Sequence, residues 1–445
     1  MSVTLPESLA PRRAPTLEQV TVAKVTRRLL PFLFLLYIVC FLDRVNVGFA
    51  ALEMNRDLGF SPAVYGFGAG IFFLGYVLFE VPSNLILVRI GARVWIARIM
   101  ITWGVLAAAM MFIRGPASFY TLRFLLGLAE AGFFPGMIYY LCRWFPARER
   151  ARAIATFMIA IPLSGAVGGP ISGALLGLTG HLGLAGWQWL FLLEGLPAVA
   201  LGFVVLGYLT DRPEDADWLT PAERDWLSTH LVAEREHCER RHGLSLIQAL
   251  SSRTVWQLAL LIFLAEAFGS YVLGLWLPQI VRDFSGASDF KVGLLVSVPY
   301  VIAAGAMVLT GAHSDRSGER LLHIAVPAAA AALGFLASAY LRSPGLIVLA
   351  LSVAAAGTYG SQGPFWSLPS SFLTGSAAAG GIALINSLAN LSGFLGPYSI
   401  GLLKGATGSF HSGLILLALV PLGGAMLALG LRRNTVLSQP SHTDF

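Results

Sequence analysis

The chain has 445 residues, of which 56% are hydrophobic and only 12% are charged, whereas about a quarter of the residues in a typical soluble protein are charged. A mean hydropathy of +0.72 and apolar runs along the whole length exclude a globular domain with one anchor and indicate a polytopic membrane protein. The net charge of +6 comes mostly from short loops between apolar runs, so no nucleic-acid partner is expected.

Apolar runs of about 20 residues predict twelve membrane-spanning helices. In chain order they occupy residues 29–50, 63–87, 95–114, 118–140, 152–176, 186–209, 254–280, 291–311, 321–341, 345–367, 378–402 and 411–431. A polar linker, 210–253, separates two groups of six, and two polar tails, 1–28 and 432–445, flank them. The N-terminal tail lacks an apolar core before a cleavage site, so no cleavable signal peptide is expected.

Basic residues concentrate in the loops on one side of this arrangement, which includes both tails. The positive-inside rule therefore predicts that both tails and the linker are cytoplasmic, and we expect a multi-pass protein of a bacterial inner membrane. Within the linker, Thr220 and Glu223 have the spacing of a capping box. This spacing predicts that an amphipathic helix begins there.

The two halves of the chain repeat each other. Arg89, Gly91 and Arg93 recur as Arg316, Gly318 and Arg320, each 227 residues later, and LSGAVGGPISGALL from Leu163 is echoed by LSGFLGPYSIGLL from Leu391. A repeat displaced by six helices predicts an all-α fold of two pseudo-symmetric six-helix bundles, residues 29–209 and 254–431. In such transporters the substrate site lies near the bilayer midplane, between the bundles.

The motif GAHSDRSGER, between the eighth and ninth predicted helices, resembles the loop signature of the major facilitator superfamily. FLDRVNVGFA, RFLLGLAEAGFFPG, GWQWLFLLEGLPA, DRPEDADWLTPAER and GIALINSLANLSGFLGPY resemble its anion:cation symporter family. The segment GAGIFFLGYVLFEVPSNLILVRIGARVWIARI is most similar to bacterial tartrate and aromatic-acid permeases. This resemblance covers nearly the whole chain and implies the major facilitator fold, an organic-anion substrate and coupling to protons. We expect a monomer surrounded by membrane lipid.

Four ionisable residues interrupt apolar segments, and such residues normally face a bundle interior or a water-filled path. Arg123 and Glu130 share one helix face, and Asp43 and Arg44 are adjacent in the first helix. Arg44 and Arg123 are predicted to bind the substrate anion, because a guanidinium offers paired donors to a carboxylate. Asp43 and Glu130 are predicted to bind the coupling proton. Internal ion pairs among these four residues are the alternative reading.

The second half has no counterpart of the charged pair, so it is predicted to recognise hydroxyl groups and shape. The other predicted substrate-binding residues are Tyr76, Tyr271, Trp276, Gln279, Trp366, Asn386, Asn390 and Tyr398. Packing or interfacial anchoring is the alternative for the aromatic residues, and bonding between helices is the alternative for the asparagines. Glu80 is expected to make a packing or gating bond, and the role of Glu266 is left open.

The repeated loop motif departs from the family pattern in the first half. Ser83 and Val88 stand where the pattern has glycine and aspartate. Asp315, in the second half, is therefore expected to carry more of the gating. The full predicted gating set is Asp315, Arg316, Arg320, Arg89 and Arg93.

These features predict proton-coupled uptake of a small organic anion by alternating access, with tartrate or a similar hydroxylated dicarboxylate as substrate. An aromatic acid, a sugar acid or coupling to sodium are the alternatives. HExxH, GxSxG and paired metal-ligand motifs do not occur, which argues against a membrane enzyme, a metal or any cofactor beyond H⁺. Charges confined to one of two similar bundles do not suggest the selectivity ring of a channel.

Overall fold

The computed structural model describes residues 16–240, 248, 251–372 and 375–432. Most of the two predicted tails and part of the predicted linker lie outside these residues. The first half contains α1 Leu17–Asp57, α2 Pro62–Ile90, α3 Ala92–Ala109, α4 Pro116–Glu130, α5 Phe133–Trp144, α6 Ala147–Met158, α7 Ala160–Leu176 and α8 Gly186–Tyr208. The second half contains α10 Arg253–Ile262, α11 Phe268–Ser285, α12 Asp289–Ser317, α13 Leu322–Tyr340, α14 Pro344–Gly360, α15 Gln362–Phe372, α16 Gly375–Thr407 and α17 His411–Leu431.

Eleven helical stretches of the described chain are long and apolar enough to cross a membrane. The other predicted span corresponds to α16, which has 33 residues but is not among the eleven. Its middle carries Asn386, Asn390 and Pro397, which lower its apolar content. Because a membrane helix places polar side chains toward the protein interior, the composition of α16 indicates that one of its faces lines a polar path.

The predicted helix over 118–140 is not continuous, and this expectation was wrong at one point. The first part, α4, ends at Glu130, Ala131 has extended ψ of 132°, and Gly132 has a φ of +88°. Glycine adopts positive φ without the clash that a Cβ causes. The predicted spans 152–176 and 345–367 are likewise divided, between α6 and α7 and between α14 and α15.

The predicted span over 254–280 is interrupted by a π-helical turn, Phe263–Ala267, which joins α10 to α11. A π turn has a wider hydrogen-bonding pattern than an α-helix, and such turns are frequently found at functional sites. Glu266 lies in this turn and is only 6% exposed. The interruption therefore places an acid in the interior of the second bundle.

The linker contains a polar helix, α9, Pro221–Arg240. Its predicted capping box is confirmed, because the Thr220 amide donates to Glu223 Oε2 at 2.7 Å and the Glu223 amide donates to Thr220 Oγ1 at 3.3 Å. Lys24 pairs with Glu223 at 2.9 Å, and Arg150 pairs with Glu234 at 3.2 Å. Both pairs attach the described part of the linker helix to the first half.

The two halves meet along three helix pairs, α1 with α11, α2 with α16, and α7 with α12. Glycines allow the closest approaches: a Cβ at Gly173 would lie 2.7 Å from the Asp289 carbonyl oxygen, and one at Gly66 would lie 2.6 Å from that of Pro397. Thr16 and Arg432, the first residue before α1 and the last after α17, lie on one side of the bundles. The close contacts lie on the opposite side. On this face, which we call the closed face, the bundles are packed backbone to backbone.

Replacing Gly173 by valine is expected to separate the bundles at the closed face, because backbone at Asp289 leaves no room for the added carbons. The separation can be measured as the distance between spin labels at the exposed positions Leu182 and Arg342 by double electron–electron resonance. Gly305→Val is the matched control, since nothing lies within 4 Å of a Cβ at Gly305 on α12. An unchanged distance in the Gly173 variant would contradict this account of the interface.

Candidate functional site

A central cavity lies between the two bundles, with an empty volume of about 930 Å³ that includes open solvent. Both halves of the chain contribute to its wall. The first half supplies, among others, Tyr37, Phe41, Arg44, Phe73, Tyr76 and Phe134, and the second supplies Glu266, Ser270, Tyr271, Tyr300, Tyr359, Gln362, Trp366, Asn386 and Asn390. The wall is mostly apolar and rich in aromatic rings, and its polar groups are few and convergent, as is typical of small-molecule sites.

Arg44 on α1 reaches this cavity and holds Glu130 behind it. Its Nε donates to Glu130 Oε1 at 3.0 Å, its Nη2 donates to the same oxygen, and the Cys40 thiol donates to it at 3.2 Å. Arg44 is 8% exposed and Glu130 only 1%. Because α4 ends directly at Glu130, the carboxylate stands at the break in the helix. All three hydrogen bonds are accepted by the same oxygen, Glu130 Oε1.

Aromatic faces surround the Arg44 guanidinium. Its central carbon lies 4.9 Å from the ring centre of Phe41, 5.4 Å from that of Tyr76 and 5.6 Å from that of Phe72. The negative face of an aromatic ring attracts a cation. No described residue accepts a hydrogen bond from Nη1. Arg44 is thus fixed in position while part of its donor fork remains for a ligand.

Asp43 and Arg123, two of the predicted site residues, do not line the cavity. Asp43 Oδ2 accepts a bond from Trp103 Nε1 at 2.7 Å inside the first bundle. Arg123 is 1% exposed, donates to the Ala69 carbonyl at 3.0 Å and lies 4.8 Å from the Phe72 ring centre. Glu130, which shares its helix face, bonds instead to Arg44. Of the two predicted anion-binding arginines, only Arg44 faces the cavity in this conformation.

The second half places amide and hydroxyl groups around the cavity. The Tyr271 hydroxyl donates to Asn390 Oδ1 at 2.7 Å, and Tyr271 lies 4.4 Å from Phe73 by ring centres. Asn386 Nδ2 donates to Glu80 Oε1 at 2.6 Å and so joins the two bundles. The predicted residues Tyr76, Tyr271, Trp366, Asn386 and Asn390 therefore all meet Arg44 at one cavity.

Three other predicted substrate-binding residues lie at or near the closed face instead. Trp276 donates from Nε1 to the Pro397 carbonyl at 3.1 Å, and Gln279 Oε1 accepts from Asn55 Nδ2 at 3.3 Å. Tyr398 packs on Phe67, with ring centres 5.5 Å apart. These contacts fit the packing alternative that the sequence left open for the aromatic residues.

The predicted gating residues lie at the ends of α2 and α12. Arg320 pairs with Asp315 at 2.5 Å, within the second-half motif. In the first half the Arg93 amide donates to Asp211 at 2.8 Å, and Ser83 donates to the Ala131 carbonyl at 2.7 Å. Arg89 and Arg316 are exposed, and neither has a carboxylate of the described residues within 4.0 Å. Gating by these residues stays a prediction.

Sequence reasoning missed Cys40, Tyr359 and Gln362 as site residues. Tyr37, Cys40 and Arg44 follow one another at helical spacings of three and four, so a search along one face of α1 could have found Cys40. Gln362 enters the wall because the helix breaks after Gly360, and its buried Oε1 has no hydrogen-bond partner among the described residues. The local signals for that break are Gly360, Gly363 and Pro364, because proline has no amide to donate to the Gly360 carbonyl.

Known proteins resemble this chain over most of its length. A protein of Agrobacterium vitis named "Putative tartrate transporter" is 53% identical over 418 residues, covering 94% of this chain and 96% of the relative. A quinolone resistance transporter of Acinetobacter baumannii is 44% identical over 411 residues, covering 92% of this chain and 94% of the relative. The names of these two relatives therefore refer to different compounds.

The fold has close counterparts among solved structures. A bacterial homologue of the human lysosomal transporter Spinster, in an inward-facing and occupied conformation, has a TM-score of 0.74 at 17% identity, covering 92% of this chain and 97% of that one. This likeness supports the fold alone. Residues 33–397 match the Major Facilitator Superfamily. The chain therefore belongs to the Major Facilitator Superfamily and is a multi-pass membrane transporter of a small molecule rather than an enzyme.

Proposed function

We propose that this transporter takes up a small hydroxylated dicarboxylate, such as tartrate, together with protons. The observation that carries the proposal is the pair formed by Arg44 at the cavity wall and Glu130 behind it. The relatives named for tartrate, at 53% identity, support the choice of substrate class. The case for protons as the coupling ion is the chemistry of the Arg44–Glu130 pair.

Substrate and Glu130 compete for the same guanidinium. A substrate carboxylate that binds Arg44 through paired hydrogen bonds draws positive charge away from Glu130. Glu130 is then left almost fully buried, with the Cys40 thiol as its remaining donor. A buried carboxylate without a cation is strongly disfavoured, so Glu130 takes up a proton. Anion binding and proton binding therefore favour each other.

Release reverses these steps. When the anion leaves, Arg44 is again available to Glu130, and the ion pair re-forms as the proton departs. States with only one of the two ligands leave either an unpaired buried charge or an empty guanidinium, which disfavours their conversion. The second-half groups around Tyr271 and Asn390 would bind the hydroxyl groups of the substrate. Two bundles that rock about the cavity would complete alternating access.

A second candidate substrate is an aromatic monocarboxylate. Arg44 is the one cationic side chain among the described residues that line the cavity, whereas aromatic rings form much of its wall. One guanidinium matches one carboxylate, and rings stack favourably on rings. A dicarboxylate would need its second carboxylate to bind neutral donors such as Asn386. Competition experiments separate the two substrates.

We further propose that the protein is a monomer in the bacterial inner membrane with both chain ends in the cytoplasm. The basic residues near both ends favour this orientation. The closed face would then be the outer one, and the cavity would open toward the cytoplasm. The gating residues Asp315 and Arg320 would lie on that cytoplasmic side.

Purified protein in liposomes is expected to accumulate labelled tartrate when the outside is acidic, and a protonophore is expected to abolish the accumulation. Unlabelled tartrate should compete more strongly than benzoate or gluconate. Stronger competition by benzoate would replace the substrate with an aromatic acid and keep the mechanism. Accumulation that follows a sodium gradient and ignores the protonophore would refute proton coupling.

A further inference from the structure

A second polar cluster is buried inside the first bundle, away from the cavity. Asp43 on α1 and Glu194 on α8 are 2% and 6% exposed. Asn46, one turn after Asp43, donates to Asp43 Oδ1 at 3.4 Å and also faces Glu194. Ser172 on α7 donates to Glu194 Oε1 at 2.8 Å. The Asn46 amide thus lies between the two carboxyl groups.

Every described hydrogen-bond donor to this cluster is neutral. Trp103 supplies an indole N–H, Asn46 an amide and Ser172 a hydroxyl, and in the described part of the chain no lysine or arginine lies within 4.0 Å of either carboxyl group. The other ionisable groups that face Asp43 include Glu130, whose charge is matched by Arg44. Glu194 Oε2 is buried, and no residue that the structure describes forms a hydrogen bond with it.

Two ionised carboxylates cannot coexist in such a site. Burial disfavours each charge, and a neighbouring like charge disfavours it further. A proton on one carboxyl relieves both penalties and gives that carboxyl a donor. We propose that Asp43 and Glu194 hold one proton between them, with one carboxyl protonated and the other ionised and accepting from neutral donors such as Asn46, which makes Glu194 a titrating residue outside the substrate cavity.

The position of this pair connects it to transport. Asp43 directly precedes Arg44 on α1, and Ser172 lies on α7 beside Gly173, where the bundles touch at the closed face. Separation of the bundles there would move α7 and alter the Ser172 bond to Glu194. The pair therefore exchanges its proton once in each transport cycle, in addition to the proton of Glu130. This step rests on the proposed function.

The proton-to-tartrate ratio tests the step. In liposomes whose membrane potential is clamped at zero, the pH gradient that just balances a fixed tartrate gradient gives this ratio. Glu194→Gln is expected to lower the ratio by one proton while tartrate exchange continues, because exchange requires no net proton movement. Asp43→Asn should have the same effect, and the double variant should lose no more than either single variant, since one shared proton is lost in each case.

The matched control is Glu53→Gln. Glu53 is on the same helix as Asp43 but bonds to Thr179 near the far end of the helix, so the ratio should not change. An unchanged ratio in Glu194→Gln, or additive losses in the double variant, would overturn the shared proton. A gel-filtration profile that matches the wild-type protein shows that each variant is folded.

Infrared spectroscopy tests the pair without transport. A protonated carboxyl group has a C=O stretching band that shifts when the protein is moved from H₂O to D₂O. One such band should be present in the wild-type protein and absent from both Glu194→Gln and Asp43→Asn. If wild-type liposomes show no proton-coupled uptake, the proposed function fails while this band still tests the pair. If Glu194→Gln keeps every protonated-carboxyl band of the wild-type protein, the proposal that Asp43 and Glu194 hold a proton is wrong.

Discussion

Arg44→Lys is expected to lower the ratio of maximal rate to KM for tartrate uptake by roughly 100-fold. Truncating one partner of a buried, hydrogen-bonded charge pair costs about 2–5 kcal/mol, and each 1.4 kcal/mol or so is tenfold in affinity or rate. Lysine keeps the charge but replaces a planar fork of donors by a compact ammonium. It cannot offer a substrate carboxylate the paired donors with which the anion competes against Glu130.

The matched comparison is Arg123→Lys. Arg123 is also buried and also lies beside Phe72, but its described hydrogen bond is to the Ala69 carbonyl, which an ammonium can also reach. We expect a loss far smaller than for Arg44→Lys. The measurement is the initial rate of labelled tartrate uptake against concentration, normalised to protein in the membrane. Equal losses in the two variants would show that Arg44 is not the dominant anion site.

Much of the fold could be predicted from the sequence because it depends on composition and periodicity. Apolar length determines the spans, and the repeat of Arg89 and Arg93 at Arg316 and Arg320 predicts two similar halves. The capping box at Thr220 depends on two residues three apart, and the structure forms it as predicted. These signals are local, so a single chain contains them.

The partners inside the site could not be predicted in the same way. Adjacent helix residues point about 100° apart, so Asp43 and Arg44 face different neighbours, and only tertiary packing decides which. The break at Gly132 has a local signal in Pro135, which cannot donate to the Ala131 carbonyl, but spacing does not reveal that the Ser83 hydroxyl of α2 donates to that carbonyl instead. Trp276 and Gln279 lie on the same helix as Tyr271, yet two turns along α11 carry them from the cavity to the closed face.

Glu130→Gln is expected to lower the proton-to-tartrate ratio by one and to uncouple tartrate binding from pH, while tartrate exchange across the membrane continues. Glutamine has the shape of a protonated glutamate, so it leaves Arg44 available to the anion but has no proton to release. The variant should therefore bind tartrate with an affinity that does not change with pH between about 5 and 8, a range in which free glutamate is already ionised. Wild-type affinity should fall as the pH rises.

The most informative comparison for this variant is Glu266→Gln. Glu266 lines the same cavity from the π turn of the second bundle, but in the described structure it forms no ion pair with Arg44. If linkage depends on competition for Arg44, the Glu266 variant keeps the wild-type proton-to-tartrate ratio and the Glu130 variant loses one proton. The opposite outcome would assign coupling to the second bundle. In that case Arg44 and Glu130 would form a structural pair, because the acid that titrates would not be the acid that the substrate displaces.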